Sequence, residues 1–382
     1  MTHMEPERLH VLFLFSDTGG GHRSAAEAII EAINLDFPNH ISTEMIDFFK
    51  EYAPLPFDLS PALYPPMAKL PDIWKLGYEL SNDPRRTRFL YSVTWPYYRE
   101  STYRLLNEHP YDLLVVVHPL PIIPICRTLK PDSSPLITVV TDMVSTHCLW
   151  FNRRSDLVLV PTEIARQNGL SYGLNPDQIR VVGLPVAQRF CTPFENRQLI
   201  CSRLGWPQEK PVLLLIGGGD GMGPVKQIAT MISNASFDAT LVIVTGRNHR
   251  LKTQLEAQEW LMPTFIYGFV NEMPEFMQCA DILLTKAGPG TISEAFIAGL
   301  PMILYFKMPG QEDGNVSYVV DGGAGVWAPE PTHILEILRK WLNNPIELKR
   351  VSDNSTRMAK PNAAHLVASA VAEKLRITEG IT

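Results

Sequence analysis

The sequence predicts an α/β protein built from two doubly wound, Rossmann-like domains that face each other across a cleft. Three observations carry this expectation. The chain has 382 residues, and at about 150 residues per domain that length suggests two cores rather than one. Short aliphatic or β-branched runs alternate with helix-like segments from end to end, the rhythm of parallel sheets with helices on both faces. A strand followed by a glycine turn occurs twice, at Gly19-Gly20-Gly21 and again at Gly217-Gly218-Gly219, and each resembles the start of a nucleotide-binding fold.

Taken in order, Leu9 to Phe15 reads as the first strand, Ser24 to Asn34 as the first helix and Ile41 to Asp47 as the second strand. Leu113 to Val117, Leu136 to Thr141, Asp156 to Val160 and Ile179 to Val182 continue the first half. Val212 to Ile216, Thr240 to Thr245, Ile282 to Thr285 and Met302 to Tyr305 belong to the second. Runs this apolar are buried on both faces. The boundary falls near Pro185 to Pro193, giving domains 1–187 and 188–382, with the last helix, Asn362 to Arg376, expected to pack near or back across it.

Composition narrows the function classes. With 45% hydrophobic and 19% charged residues the chain is globular, and a net charge of -6 provides no broad positive field for nucleic acid. The five cysteines, Cys126, Cys148, Cys191, Cys201 and Cys279, form no C-x-x-C pair and read as reduced thiols. No stretch reaches the roughly 18 apolar residues that span a bilayer. The best candidate, Leu113 to Cys126, is broken by His118 and three prolines. The run Val11 to Phe15, preceded by Glu5 and Glu7, is no secretory signal.

One segment breaks the strand–helix rhythm. Tyr52 to Arg104 holds eight prolines and many aromatics, and between Ser81 and Arg104 five arginines (85, 86, 88, 99 and 104) face only Asp83 and Glu100. Rings such as Tyr91, Trp95, Tyr97 and Tyr98 beside Arg85, Arg86 and Arg88 suit a membrane interface carrying anionic lipid phosphates. The plainer reading is a pair of core-packed helices with a solvated basic face.

Three glycine turns carry the candidate chemistry. In SDTGGGHRSAAEA, Ser16 to Ala28, successive backbone N–H groups suit an anion or an oxygen-rich ligand. His22 at the helix start would stay neutral and accept a proton. The competing reading is a capping box of Ser24 and Glu27. GGGDGMGP, Gly217 to Pro224, can let a ligand approach the backbone. KAGPGTISEA, Lys286 to Ala295, would offer a diphosphate the free N–H groups of a helix N-terminus; Glu294 could instead close a capping box with Thr291. Gln311, Glu312 and Asn315 cluster in PGQEDGN, a loop suited to sugar hydroxyls or to solvent. No D-x-D clamp, H-x-x-x-H pair or G-x-S-x-G elbow is present, which leaves helix dipoles and Arg247 to neutralise a leaving phosphate and gives no support to a serine hydrolase.

Together, SDTGGGHRSAAEA, VVTDMVSTHCLWF, GGGDGMGP, KAGPGTISEA and PGQEDGNVSYVVDGGAG resemble the monogalactosyldiacylglycerol synthases. These share glycosyltransferase family 28 with bacterial diacylglycerol glucosyltransferases and with the enzyme that adds N-acetylglucosamine to lipid I. The similarity runs from Val11 to about Val371. It implies a GT-B fold, an acceptor and membrane-associating domain followed by a UDP-sugar domain, and no metal or cofactor beyond the UDP-sugar substrate. Galactose from UDP-galactose, or glucose from UDP-glucose, would pass to diacylglycerol with inversion. A sugar-nucleotide epimerase and a non-catalytic lipid- or nucleotide-binding module are alternatives on the same architecture.

By this resemblance Glu294 binds the ribose, and the turn holding Gly288, Gly290, Thr291 and Ile292 takes the diphosphate. Gln311, Glu312 and Asn315 touch the sugar, Gly268, Phe269 and Val270 meet the uracil, and Gly218, Gly219, Gly221 and Arg247 complete the donor pocket. On the acceptor side His22 is the expected general base, flanked by Gly20 and Gly21, with Asp142, His147 and Trp150 nearby and Pro56 in the lipid-facing segment. The missing transit peptide points to a bacterial protein on the cytoplasmic membrane face. His118 is followed by PLPIIPIC where the plant enzymes carry a second histidine.

Overall fold

The computed structural model describes residues 8–17, 20–55, 58, 70–192 and 196–377. They divide into two compact units, the first from the start of the chain to Gln188 with Pro309–Gln311 and the segment from Pro361 onward, the second Arg189–Met308 with Glu312–Lys360.

The first unit is one parallel sheet of β1 (Leu9–Phe15), β2 (Ile41–Asp47), β3 (Leu113–Val116), β4 (Leu136–Val139), β5 (Leu157–Val160) and β6 (Ile179–Val181). Its spatial order is β2-β1-β3-β4-β5-β6, so the direction of winding reverses between β1 and β3. Side chains alternate across the pleat. Val11 and Phe13 face a layer formed with Ala25, Ile29, Ile33, Val367 and Val371, whereas Leu12 and Leu14 face Phe48, Tyr98, Leu105, Ile122 and Trp150. The expected strands are all present, several ending one or two residues earlier than the apolar run.

The helix Gly21–Asp36 begins earlier than its sequence pattern suggested. Gly20 is the N-cap at φ 79°, and no side chain caps the helix. The Ser24 hydroxyl donates to the Gly20 carbonyl, which places Ser24 inside the first turn and removes the Ser24–Glu27 capping box. The helix Ala363–Lys374 packs its alanine-rich face, including Ala364, Ala368 and Val371, on this same side of the first sheet. Small side chains let the two helices approach closely.

The second unit repeats the plan with β7 (Val212–Ile216), β8 (Thr240–Val244), β9 (Thr264–Tyr267), β10 (Ile282–Lys286), β11 (Met302–Phe306) and β12 (Gly325–Trp327). All neighbours are parallel, in the order β12-β11-β10-β7-β8-β9, and the winding reverses between β7 and β10. In such sheets ligands bind outside the carboxyl ends of the strands at the reversal. β9 and β12 were not expected from the sequence, and they are the two edges of this sheet. Among the described residues no helix is long and apolar enough to cross a membrane.

Candidate active site

In the first unit the reversal lies between β1 and β3, and each strand delivers a histidine there. His22 stands at the start of the Gly21–Asp36 helix, and His118 N-caps the helix Pro119–Thr128, accepting from Leu120 N at 3.3 Å. Their rings meet edge to face at 4.5 Å. The His22 Nδ1 lies 2.7 Å from Thr141 Oγ1. Burial pushes the His22 pKa down to about 4, only partly opposed by a hydrogen bond to the Val117 backbone. Burial, and then the neighbouring His22, also hold His118 well below the usual histidine range. Both imidazoles are therefore neutral near pH 7. Gly21 is exposed, and a Cβ there would touch nothing within 4 Å, so the helix start is open to a ligand.

The remaining acceptor-side residues do not all gather at His22. Trp150 does, with its ring centroid 6.1 Å from that of His22. Asp142 is buried and accepts from Trp150 Nε1 at 2.6 Å, so it orients the indole. Gln311, grouped with this unit, donates through Nε2 to Asp142 Oδ1 at 3.4 Å. His147 faces elsewhere: its Nδ1 accepts from Leu149 N at 3.2 Å and its Nε2 lies 3.1 Å from Ser81 Oγ. With both nitrogens engaged and burial lowering its pKa to about 4, His147 is a neutral cap for the turn Cys148–Trp150 and offers no free lone pair. Thr141 and His118 were not among the expected site residues. Their signal was position, each standing just past the end of a strand beside the reversal. Pro56 and Gly19 lie outside the described residues.

In the second unit the glycine turn leaves β7 with Gly218 at φ 71° and Gly221 at φ 59°. A Cβ on Gly221 would stand 2.5 Å from the Thr245 carbonyl, so glycine lets this turn lie against the end of β8. Arg247 N donates to Gly219 O at 2.8 Å, while its guanidinium grips Asp220 Oδ1 at 3.0 and 3.1 Å. Arg247 thus braces the turn. Gly268, exposed Phe269 and half-buried Val270 follow β9.

After β10 the chain turns through Gly288, the N-cap of the helix Pro289–Ala298, which has no side-chain cap. Thr291 is inside the first turn, and the Thr291–Glu294 capping box does not form. The first N–H groups, at Gly290 and Thr291, are left for a ligand, whereas Ile292 N already donates to Gly288 O. Ile292 is fully buried and serves packing. Burial raises the Glu294 pKa to about 7, with Arg189 pulling it back down. Glu312 is buried, accepts from Met308 N at 2.7 Å through Oε2 and pairs through Oε1 with Lys286. Asn315 donates to Ala287 O at 2.9 Å, and its buried Oδ1 has no hydrogen-bond partner.

The arginine-rich segment is the helix Pro84–Glu108, N-capped by Asp83, which accepts from Arg85 N and Arg86 N. Its aromatics separate by face. Tyr91 and Tyr98 are buried, with Tyr91 OH donating to Leu120 O, and Trp95 is half-buried beneath the Arg127 guanidinium. These three belong to the core side. Phe89 (71% exposed), Leu90, Val93 and Tyr97 (63% exposed) face outward together with Arg85, Arg86 and Arg88. The preceding helix Pro71–Ser81 likewise exposes Ile73, Leu76 and Leu80.

Two doubly wound units of this kind, each with a glycine turn at its reversal point, define the GT-B class of fold. Solved structures agree on the fold. MurG of Acinetobacter baumannii superposes with a TM-score of 0.60 at 15% identity, over 96% of this chain and 99% of that one. The calicheamicin glycosyltransferase CalG4 gives 0.61 at 15% identity, over 97% and 99%, and a UDP-N-acetylglucosamine 2-epimerase 0.60 at 12% identity, over 98% of each. Residues 22–186 match the family model of monogalactosyldiacylglycerol (MGDG) synthase, and residues 212–367 that of the glycosyltransferase family 28 C-terminal domain. Monogalactosyldiacylglycerol synthase 1, chloroplastic, of Arabidopsis thaliana is 36% identical over 383 residues, covering 96% of this chain and 71% of that protein. Synthase 3 of the same plant is 35% identical over 376 residues, covering 95% and 81%. The chain belongs to the monogalactosyldiacylglycerol synthase family. These relatives are plant chloroplast proteins, which lends no support to the expectation of a bacterial source.

Proposed function

We infer that the protein transfers galactose from UDP-galactose to the free hydroxyl of 1,2-diacylglycerol, inverting C1 to give the β-linked galactolipid. The observation that carries this reading is the neutral His22 imidazole at the reversal point of the first sheet, held through Nδ1 by Thr141. In the tautomer with the proton on Nδ1, Nε2 takes the acceptor hydroxyl's proton. The acceptor oxygen bonds to C1 as the C1–O bond to the diphosphate breaks, and that electron pair leaves with UDP. A general base is typically worth 10²- to 10⁴-fold in such a step.

In the second unit Glu294 would accept from the ribose hydroxyls, and the uncapped start of the Pro289–Ala298 helix would receive the diphosphate. The unpartnered Oδ1 of Asn315 fits a sugar hydroxyl. Galactose and glucose differ in one hydroxyl, so specificity rests on one or two such bonds. The positive end of the helix supports a reaction that needs no metal. The outward face of the Pro84–Glu108 helix, apolar with arginines, supports reversible docking on the cytoplasmic face of a membrane that carries anionic lipids.

The test is incubation with UDP-galactose and UDP-glucose separately, in diacylglycerol mixed micelles, with and without a chelator. Product mass and anomeric configuration are read. The expected result is a β-galactolipid from UDP-galactose, unaffected by chelation. An α-linked product, no glycolipid from either donor, or conversion of the UDP-sugar without lipid would sink the reading; a glucolipid alone would reassign the donor.

A further inference from the structure

We propose that Lys286 is a diphosphate-binding residue of the donor site and that Glu312 is the carboxylate that positions it. This deepens the UDP-sugar reading above and rests on it. Lys286 closes β10, beside β7 at the reversal of the second sheet. The register with β11 shifts between Thr285 and Lys286, so that Lys286 pairs with Phe306, and an irregularity of this kind re-aims the side chain that follows it. The re-aimed side chain runs between the two glycine turns. A Cβ on Gly218 would meet Lys286 Cε at 3.0 Å, and a Cβ on Gly288 would meet Lys286 Nζ at 3.2 Å. Both turns therefore lack side chains where the ammonium group passes.

The electrostatics of this placement point to an anion. The ammonium is mostly buried, with 15% of the side chain exposed, and lies against the uncapped N-terminus of the Pro289–Ala298 helix. That helix end carries a partial positive charge, so cation and helix repel each other unless negative charge is supplied. Glu312 supplies it in the structure, itself buried and tied to Met308 N. A diphosphate at the same helix end would bring further negative charge within reach of the ammonium. As the bond from C1 to the β-phosphate oxygen breaks, the electron pair left on that oxygen would be met by Lys286 and by the free N–H groups of the first turn. Arg247, the cation expected for this duty, is turned onto Asp220. Glu312 correspondingly acts through Lys286 rather than on the sugar, in contrast to the expectation from the sequence.

The experiment titrates UDP and uridine by calorimetry into the full chain and into three variants, Lys286→Met, Glu312→Gln and the double variant. The double variant removes both charges, so a failure of the lone methionine variant to fold leaves the test intact. Expected are a loss of UDP affinity of at least tenfold in the double variant and in Lys286→Met, with uridine affinity unchanged, and a fall in kcat. Glu312→Gln should keep UDP affinity within a few fold and bind UDP and UDP-galactose in the same ratio as the parent. Unchanged UDP affinity without Lys286, or an equal loss for uridine and UDP, would overturn the assignment of Lys286. Selective loss of UDP-galactose over UDP in Glu312→Gln would overturn that of Glu312. A parent chain that binds uridine but shows no preference for UDP would overturn the inference alone, and one that binds neither would remove the UDP-sugar reading beneath it.

Discussion

The surroundings of His22 keep its imidazole neutral, which shapes what its removal should do. His22→Ala is expected to lower kcat by about 10²- to 10⁴-fold while UDP affinity, read by calorimetry, stays within error. Activity surviving in that variant but vanishing in Asp142→Asn would move the base elsewhere. Glu294 carries a pH dependence of its own. Burial raises its folded-state pKa from the usual carboxylate range to about 7, and only the ionised form accepts strongly from ribose hydroxyls. UDP affinity should rise with pH through about 7, and Glu294→Gln should bind at least tenfold more weakly. The change in affinity attributable to Glu294 should be missing from the glutamine variant's pH profile. The same shift works against the fold. A carboxyl whose pKa is raised on folding leaves stability intact below about 4.5 and erodes it as pH rises through about 7. Glu294→Gln should then melt higher than the parent at pH 8 without ligand, and an unchanged melting temperature would count against the buried-carboxylate picture.

At the scale of elements, the Pro84–Glu108 helix sets out a membrane face that can be taken apart. Each arginine near an anionic surface contributes about 1 kcal/mol, so replacing Arg85, Arg86 and Arg88 together should weaken binding to phosphatidylglycerol vesicles by more than about 100-fold. Raised salt should release the parent chain. Phe89→Ser with Tyr97→Ser should also weaken vesicle binding, because both rings face outward. Tyr91→Ser should instead lower the melting temperature, since it empties a buried site. Equal sedimentation of parent and triple variant would refute this placement. The sequence showed that rings and arginines coexist in the segment but not which face each occupies. The helical period with Pro96 inside it, and the packing of Tyr98 on Phe48, decide that. The central strands were legible because residues buried on both sides are apolar without interruption. β9 and β12 were not: β9 is half-covered along its whole length and β12 has only three residues, although the equally short edge strand β6 was read. The glycine turns were legible as turns. The hydrogen bond between Thr141 and His22 and the pairing of Lys286 with Glu312 join residues far apart in sequence, and no local pattern announces them.

For the whole molecule, the neutral histidines set an acid limit. His22 and His147 have folded-state pKa values lowered to about 4, and His118 is lowered as well. The unfolded chain binds protons at these positions from about pH 6.5 downward, so stability is full above that value and falls as pH drops toward 4. Thermal scans between pH 7 and 4 should show the first unit melting at steadily lower temperature, and a flat profile would contradict the burial of these rings.

The two-part make-up of the first unit also has a consequence for how the protein is made. Its sheet is complete by Val181, yet one apolar layer against that sheet needs Ala364, Val367, Ala368 and Val371. A ribosome must therefore translate the entire second unit before the first can cover Ala25, Ile29 and Ile33. During that interval a nascent chain displays a greasy stripe, the kind of surface chaperones hold. A chain stopped at Lys360 would keep it permanently and should aggregate. Moving the Pro361–Ile377 stretch to the front, by circular permutation through a short linker, should let the first unit finish before the second is begun.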